Sequence, residues 1–368
     1  MGEIIGLGMS HFPGFRYPDA DMTQRVKQLM GSAKVPDALK DPKNWPAPMR
    51  EEWGTDEGLA FATRHRREFF SLVRQLRAAI DDFRPDAVVI FGDDQYENFR
   101  EDIVPPFCVY IFDTIETQPF LTGRLGPPQP NVWGEAYDTV FTHAGQPDVG
   151  RYLTGHLMEH GFDIPYAYKM LHHKGLGHAF TNTLLYLDYD RQGWDYPIVP
   201  FHVNAYGSNL VRARGGTANL FSSSEEHPDP PAPSPRRCFE LGQAVARALR
   251  ESPWRVAIIG SSSWSHAFLT EKNHFMYPDV ESDRARYELL RVGNYTALRD
   301  LPLEELTQAG EHEMLNWFPL LGAMHELEQP PAWCEFMESY LMNSCKCALL
   351  CPPKVGAETA PGRKRARV

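Results

Sequence analysis

Residues 87–94 read Ala-Val-Val-Ile-Phe-Gly-Asp-Asp, an unbroken apolar run that ends in a glycine and two aspartates. Short runs rich in valine and isoleucine, bounded by turn residues, are typical of strands buried on both faces of a sheet. The preceding segment, from Phe69 to Phe83, repeats large apolar residues at helical spacing, and Pro85 prevents the helix from continuing. A helix followed by a buried strand predicts an α/β layer architecture.

Three other runs repeat this strand character, and one of them also follows a helix. The runs are Ile4–Leu7, Pro197–Phe201 and Val256–Ile259. A helix is predicted from about Phe239 to Arg250, immediately before the last run. The repetition supports the α/β class but leaves the strand order open.

Two segments lack both helical and strand periodicity. Ser222–Arg237 is rich in proline and serine, which excludes a regular element, and Ser32–Gly54 is similarly irregular. The first could mark a domain boundary, but strand-like runs lie on both sides of it. We therefore interpret it as a long surface loop within one domain, and the second segment as a candidate cover for a site.

The composition favours a cytoplasmic protein that binds neither nucleic acid nor membranes. The 368-residue chain carries a formal net charge of −11 and is 42% hydrophobic. It shows neither a signal-peptide pattern nor an apolar stretch long enough to span a bilayer. A reducing compartment keeps the six cysteines as thiols, and the spacing of Cys345, Cys347 and Cys351 fits no standard zinc module. The basic run Arg363–Arg367 is interpreted as a solvated tail rather than a nucleic-acid patch.

Polar residues follow each of the four predicted strands. The segments after the strands are Ser10–Pro13, Gly92–Glu97, His202–Gly207 and Gly260–His266. Ligands bind beyond the carboxyl ends of strands in α/β sheets, so four such clusters together predict a site. Each cluster alone has a simpler explanation, because a single histidine after a strand is more often structural than a ligand. The glycines at 6 and 8 lack the third glycine of a dinucleotide loop, and the serines after Gly260 do not form a nucleophile elbow.

Glu313 lies at the start of a predicted helix and borders its apolar face, one turn before Trp317. A carboxylate beside a core face is costly unless it is paired or bound to a metal. The simpler interpretation is a helix N-terminal glutamate that interacts with the helix dipole, a role that Glu311 would fill equally well.

The ordered set of motifs resembles the catalytic β subunit of protocatechuate 4,5-dioxygenase and the gallate and 3-O-methylgallate dioxygenases, in the class III extradiol dioxygenase superfamily. The resemblance extends from Ile4 to about Met324. It is carried by the segments Gly8–Pro13, Val88–Asp94, Gly177–Thr181, Val199–Asn204, Ser263–His266 and Glu313–Trp317, the last with Gly322–Met324.

The resemblance implies one α/β domain with a central mixed sheet flanked by helices. We expect a catalytic domain over residues 1–330 and a C-terminal addition packed on it over residues 331–353. Residues 354–368 would form a basic tail without fixed structure.

The resemblance also assigns roles to individual residues. It implies that His11 and Glu313 are ligands of Fe(II), that His266 is the acid-base histidine and that His178 is a second active-site histidine. A triad of two neutral donors and one carboxylate holds Fe(II) with open positions for substrate and dioxygen. Four further residues are candidates to line the ring pocket: Phe12, Tyr206, Trp264 and Ser265.

The sequence departs from the family at one metal ligand. Where the family's second ligating histidine is expected, this chain has Gln95, whose amide oxygen is neutral but a weaker donor than imidazole. Gln95 is predicted as the third ligand because its position matches. The alternatives are Asp94, Glu97, His172 and His173.

The predicted function is Fe(II)-dependent extradiol cleavage of a catecholic, gallate- or methoxycatechol-like ring. The partners would be a small aromatic substrate and O2, with a homo-oligomer as an open alternative to a monomer. Two other classes stay open: a metal-dependent hydrolase or another reaction on this scaffold, and a metal-free binding protein that kept the fold.

Overall fold

Ten strands in two sheets form the β structure of the described part of the protein. The computed structural model describes residues 1–33, 35–121, 130–170, 172, 175–215 and 230–354. The strands are β1 (Glu3–Met9), β2 (Ala87–Gly92), β3 (Phe107–Tyr110), β4 (Thr114–Thr117), β5 (Phe141–Ala144), β6 (Tyr166–Ala167), β7 (Ile198–Val203), β8 (Arg255–Ser261), β9 (Trp333–Met337) and β10 (Lys346–Cys351).

The large sheet is mixed, and its four central strands are parallel. The strand order is β6-β3-β7-β2-β8-β1-β10-β9, while β4 and β5 pair separately as an antiparallel ribbon. The neighbours β7, β2, β8 and β1 run parallel to one another, whereas β3 and β10 pair antiparallel with the outer members of this group. These four parallel strands are the four apolar runs identified in the sequence, so the predicted α/β class with a central mixed sheet is confirmed.

Eleven α-helices are present in the described ranges. They are α1 (Gln24–Met30), α2 (Ala47–Trp53), α3 (Leu59–Phe83), α4 (Pro147–Glu159), α5 (His178–Leu187), α6 (Asn209–Arg212), α7 (Pro235–Glu251), α8 (Val280–Arg291), α9 (Tyr295–Arg299), α10 (Leu303–Gln308) and α11 (Trp317–Glu326).

Helices cover both faces of the sheet. Successive side chains of a strand point to opposite faces, so the apolar strands present side chains to both helical layers. Ile4 packs on one face with residues of α4, α7 and α11, and Ile5 packs on the other with residues of α3 and α5. The helices α7 and α11 approach each other closely through two glycines. A Cβ atom on Gly242 would lie 1.9 Å from the Pro319 carbonyl oxygen, and one on Gly322 would lie 2.0 Å from the Phe239 carbonyl oxygen. Only glycine permits this contact.

Several predicted boundaries differ from the structure. The helix predicted from Phe69 begins earlier, at Leu59. Within the stretch predicted to be an irregular loop, residues 235–237 belong to α7. Ser234 caps that helix by accepting a hydrogen bond from the Arg237 backbone N–H, and Pro235 occupies its first turn, where its missing N–H costs nothing. Residues 222–229 of the same stretch lie outside the described residues. The segment Ser32–Gly54 contains α2 and two short 3₁₀ turns.

The segment 331–353 contributes β9 and β10 to the large sheet. β10 pairs with β1 in register Gly6 with Cys351, so this segment completes the sheet next to a site-bearing strand. All six cysteines are buried thiols. Of the expected tail, residues 355–368 lie outside the described residues. No helix in the described ranges is both long enough and apolar enough to span a membrane.

Candidate metal and substrate site

Three of the parallel strands end at the same edge of the sheet and deliver polar residues to one place. His11 follows β1, Gln95 follows β2, and Ser263 follows β8. Glu313 reaches the same place from a 3₁₀ turn, His312–Asn316, that leads directly into α11. His178, the first residue of α5, closes the group from the side. The structure therefore brings together residues separated by about three hundred positions in the sequence.

Glu313 is the centre of this group and is fully buried. Its Oε2 atom accepts a hydrogen bond from the Ser263 backbone N–H at 2.9 Å. Its Oε1 atom accepts one from the Tyr206 hydroxyl at 2.7 Å and lies 3.3 Å from Nε2 of His266. Burial alone would raise the pKa of the Glu313 carboxyl, but electrostatic interactions with the neighbouring His266 and His11 outweigh burial and hold that pKa well below the ordinary value. The side chain is thus a carboxylate, the form that binds a cation.

His11 and His178 are both held through their Nδ1 atoms. The Nδ1 atom of His11 lies 2.9 Å from the Ser261 hydroxyl, and that of His178 lies 2.8 Å from Oε1 of Glu97. Donor atoms of His11, His178 and Glu313 all lie within 4.8 Å of one another. Imidazoles that ligate metals are usually oriented in this way by a second hydrogen bond.

The Nε2 atom of His11 provides a test of whether a metal fits here. It is buried and lies 3.1 Å from Oε2 of Glu313, but it has no hydrogen-bond partner in the described part of the chain. The pKa of His11 is raised, because the charge of Glu313 outweighs the lowering effect of burial. A buried imidazole nitrogen that faces a carboxylate without a hydrogen bond fits a divalent cation between them.

Gln95 lies beside Glu313, in the position that the sequence predicts. Its amide nitrogen donates to Oε1 of Glu313 at 2.9 Å and to Oδ2 of Asp93 at 3.2 Å. Asp93 is in turn held by the side-chain amide of Asn316 at 2.8 Å. Gln95 therefore bridges two buried carboxylates, and its role as a metal ligand stays a prediction.

The four alternative ligands have different surroundings. Asp94 accepts backbone N–H groups of residues 97–99 and so shapes the turn, while Glu97 bonds to His178. His172 lies at the surface, with its Nε2 atom 2.9 Å from Oδ1 of Asp102. His173 lies outside the described residues.

A cavity of about 280 Å³ opens onto the group. Of the predicted pocket residues, Phe12 lines it, together with His11, Gln95, His178, His266 and Glu313. Tyr206 reaches the site through its hydroxyl, while its ring stacks on His312 at 5.3 Å.

Trp264 and Ser265 require a correction, because both side chains point into the core. Trp264 is fully buried and packs edge-on against Trp317 at 5.6 Å. The Ser265 hydroxyl donates to the Ala309 carbonyl oxygen at 2.5 Å and accepts from the Asp279 backbone N–H at 2.7 Å. Neither is available to a ligand in the cavity.

Sequence reasoning missed the residues that orient the site. Ser261, Asn316 and the pairing of Glu97 with His178 only become evident once the chain is folded. A weak signal existed for Ser261, which belongs to a strand-end cluster. None existed for Arg25, which lines the same cavity from α1.

Part of the chain that carries the site matches a known protein family. Residues 229–344 match the family described as the catalytic LigB subunit of aromatic ring-opening dioxygenase. This range includes β8, His266 and Glu313.

Relatives are similar over larger parts of the chain. A 2,3-dihydroxyphenylpropionate/2,3-dihydroxicinnamic acid 1,2-dioxygenase from Comamonas testosteroni is 30% identical over 192 residues, which cover 52% of this chain and 46% of that protein. A second protein of that name from Pseudomonas putida is 28% identical over 201 residues, 54% of this chain and 49% of the relative. One from Paraburkholderia xenovorans strain LB400 is 28% identical over 293 residues, 67% of this chain and 78% of the relative.

The chain thus spans about half the length of the first two of these relatives. The family match covers the strand end that carries His266 and the turn that carries Glu313. Residues 229–344 of the chain are thus similar to the catalytic LigB subunit of aromatic ring-opening dioxygenases, and larger parts of the chain are similar to proteins named as dioxygenases.

Proposed function

We propose that the protein uses a bound metal ion and dioxygen to open a catecholic aromatic ring next to its hydroxyl groups. The observation that carries this proposal is the cluster of His11, His178 and Glu313 at the wall of a cavity large enough for a single substituted ring. The relatives are named as dioxygenases of a dihydroxyphenyl acid, which supports the same reaction class. For the ring itself we propose a gallate- or methoxycatechol-like substrate.

We propose Fe(II) as the metal, held by His11, His178 and Glu313. Two imidazoles and one carboxylate are the donor set of non-haem iron oxygenases. When bound, the ion would supply adjacent open positions for a catechol and for dioxygen. The Glu97 carboxylate orients His178, and Ser261 orients His11. In this arrangement Gln95 holds the Glu313 carboxylate in place through its 2.9 Å hydrogen bond.

His266 is proposed to handle the substrate proton. It lines the cavity, and its Nε2 atom lies on the Oε1 side of Glu313, away from the Oε2 side that His11 faces. A histidine in this place can accept a proton from a ring hydroxyl and return one later in the reaction. Tyr206 and Gln95 already donate hydrogen bonds to Oε1 of Glu313. The Glu313 carboxylate therefore does not depend on His266 as a hydrogen-bond donor, and His266 can exchange its proton with the substrate.

The experiment that tests the proposal combines metal analysis with oxygen uptake on a panel of catechols. The wild-type protein loaded with Fe(II) should consume oxygen with at least one catechol, and Glu313→Ala should neither retain iron nor consume oxygen. His172→Ala, which removes a histidine exposed outside the site, is the matched control and should behave like the wild type.

Two results would favour the other classes. Metal retention with substrate turnover but without oxygen consumption would indicate a hydrolase on this scaffold. Catechol binding without metal retention would indicate a binding protein. Either outcome would overturn the proposal.

A further inference from the structure

Arg25 lies on the wall of the cavity that contains the metal-binding cluster. It is the second residue of α1, and its guanidinium carbon lies 4.9 Å from the centre of the Phe268 ring. Phe268 and Phe12 line the same cavity. The cavity thus combines the histidine and carboxylate cluster with a cation that lies over one aromatic ring.

Arg25 has no protein counter-charge in the described ranges. Its Nε atom is buried without a hydrogen-bond partner, and burial alone lowers the pKa of the guanidinium to about 10. Asp21 lines the same cavity, but no carboxylate acts on that pKa. Two buried arginines differ, since Arg66 pairs with Asp19 at 2.5 Å and Arg286 pairs with Glu305 at 2.6 Å, while the buried Arg16 donates to the Pro119 carbonyl oxygen.

The rest of the site is acidic. Asp93, Glu97 and Glu313 all lie around the proposed metal position, and even with a divalent cation bound they would oppose the entry of an anion. An unpaired guanidinium at the cavity wall adds a positive charge that attracts an anion to that part of the cavity. It offers planar, paired N–H donors that match a carboxylate, and desolvation strengthens such a charge-assisted contact.

We propose that Arg25 binds a carboxylate substituent of the ring-bearing substrate and so makes the cavity selective for catechols that carry an acid group. The proposal rests on the proposed function and narrows its substrate class. The ring would lie between Phe12 and Phe268, with its hydroxyls toward His11, His178 and Glu313 and its acid group toward Arg25.

The test measures binding of ligand pairs to the protein under anaerobic conditions by calorimetry. Each pair is a dihydroxyphenyl acid and its methyl ester, in a series with no, one or two methylene groups between ring and acid. Arg25→Met keeps the length and the packing on Phe268 but removes the charge. Arg25→Lys restores a cation, and Arg74→Met, which removes a surface arginine paired with Asp190, is the matched control.

The wild type should prefer the acid of at least one pair over its ester. Arg25→Met should weaken binding of that acid about 10- to 100-fold, in line with the strength of hydrogen bonds to charged groups, and leave the ester unchanged. Arg25→Lys should recover part of the loss, and Arg74→Met should show none. Equal weakening of acid and ester, or no change in either, would overturn the proposal.

Steady-state oxygen uptake separates this proposal from the proposed function. With the acid as substrate, Arg25→Met should raise KM and leave kcat within a few-fold, because Arg25 does not touch the reacting atoms. Oxygen uptake that is equal for acids and esters in the wild type would contradict the role of Arg25 while the dioxygenase proposal stands. Acid-selective binding without any oxygen uptake would overturn the dioxygenase proposal while the role of Arg25 in binding stands.

Discussion

The Nδ1 atom of His178 lies 2.8 Å from Oε1 of Glu97, a residue only two positions after Gln95. The same glutamate accepts the Gln95 backbone N–H through its Oε2 atom at 2.6 Å. Glu97 therefore ties the turn after β2 to the start of α5. In this chain, a turn that lacks the expected histidine holds a histidine from another element instead.

The first prediction concerns this link. Glu97→Gln should lower the affinity for Fe(II) about 10- to 100-fold, because a ligating histidine loses the carboxylate that orients it and raises its basicity. Anaerobic titration of the metal-free protein measures the effect. Glu101→Gln, an exposed change in the same loop, is the control and should leave the affinity unchanged. Equal affinities for Glu97→Gln and the wild type would show that His178 does not bind the metal.

The second prediction distinguishes His178 from Gln95 as the third ligand. His178→Ala should abolish Fe(II) retention, whereas Gln95→Ala should weaken it only mildly, since Gln95 would act by holding Glu313. The protein should retain Fe(II) with its native Gln95, without the substitution Gln95→His. The reverse pattern, in which Gln95→Ala loses the metal and His178→Ala keeps it, would restore the assignment made from the sequence position.

A third prediction addresses the packing of α7 on α11. Gly242→Ala should destabilise the protein by about 1–3 kcal/mol, because the added methyl group would meet the Pro319 carbonyl oxygen and force the two helices apart. Urea unfolding gives the free energy. Gly155→Ala in α4 is the control, since a Cβ atom there has no neighbour within 4 Å, and it should be neutral or slightly stabilising. Equal stabilities of the two variants would contradict the close helix contact.

A fourth prediction is a pH dependence that originates in Lys346 on β10. This lysine is fully buried, donates to the Met342 carbonyl oxygen at 3.1 Å and lies 4.0 Å from the centre of the Phe12 ring. Burial lowers its pKa to about 7 from an ordinary value of 10.5. Above pH 7 the folded state has released a proton that the unfolded state still holds, so stability should rise as the pH increases from about 7 to 9.

Lys346→Met isolates this effect. The variant should lack the rise, and the difference from the wild type across that window should be on the order of a few kcal/mol or less. Burial raises the pKa of Glu52 to about 7, so this group changes the pH dependence of stability below the window. Burial also raises the pKa values of the thiols, which change it above the window. Parallel stability curves for wild type and variant between pH 7 and 9 would contradict the lowered pKa.

The sequence predicted those parts of the fold in which a local apolar pattern reflects burial in the sheet. The runs at Ile4, Val88, Ile198 and Val256 are buried on both faces, so an apolar run alone identified each strand. The segment 331–353 was harder to interpret. Its strand β10 contains Lys346 and three cysteines within or next to it, and only the antiparallel pairing with β1 shows that it belongs to the sheet.

The sequence predicted which kinds of residue form the site better than it predicted the direction in which each side chain points. His11, Gln95 and His266 reach one cavity because the parallel strands that precede them end at one edge. His178 and Glu313 reach the same cavity from the start of α5 and from the turn before α11. Trp264 and Ser265 lie in the same loop as His266, yet they turn into the core, since neighbouring residues of a loop face different directions. The sequence did not identify Arg25 as a site residue, because an arginine on a short helix is ordinarily solvated. Only the folded structure shows that Arg25 lines the cavity without an ion-pair partner in the described ranges.

In the proposed reaction, both atoms of dioxygen enter a catechol whose ring is opened at this site. The most direct measurement is mass spectrometry of the product formed under isotopically labelled dioxygen by the Fe(II)-loaded protein. We expect the wild type to form a ring-opened product that carries two labelled oxygen atoms, and Glu313→Ala to form no product. A product whose added oxygen comes from water, or equal product from both proteins, would contradict it.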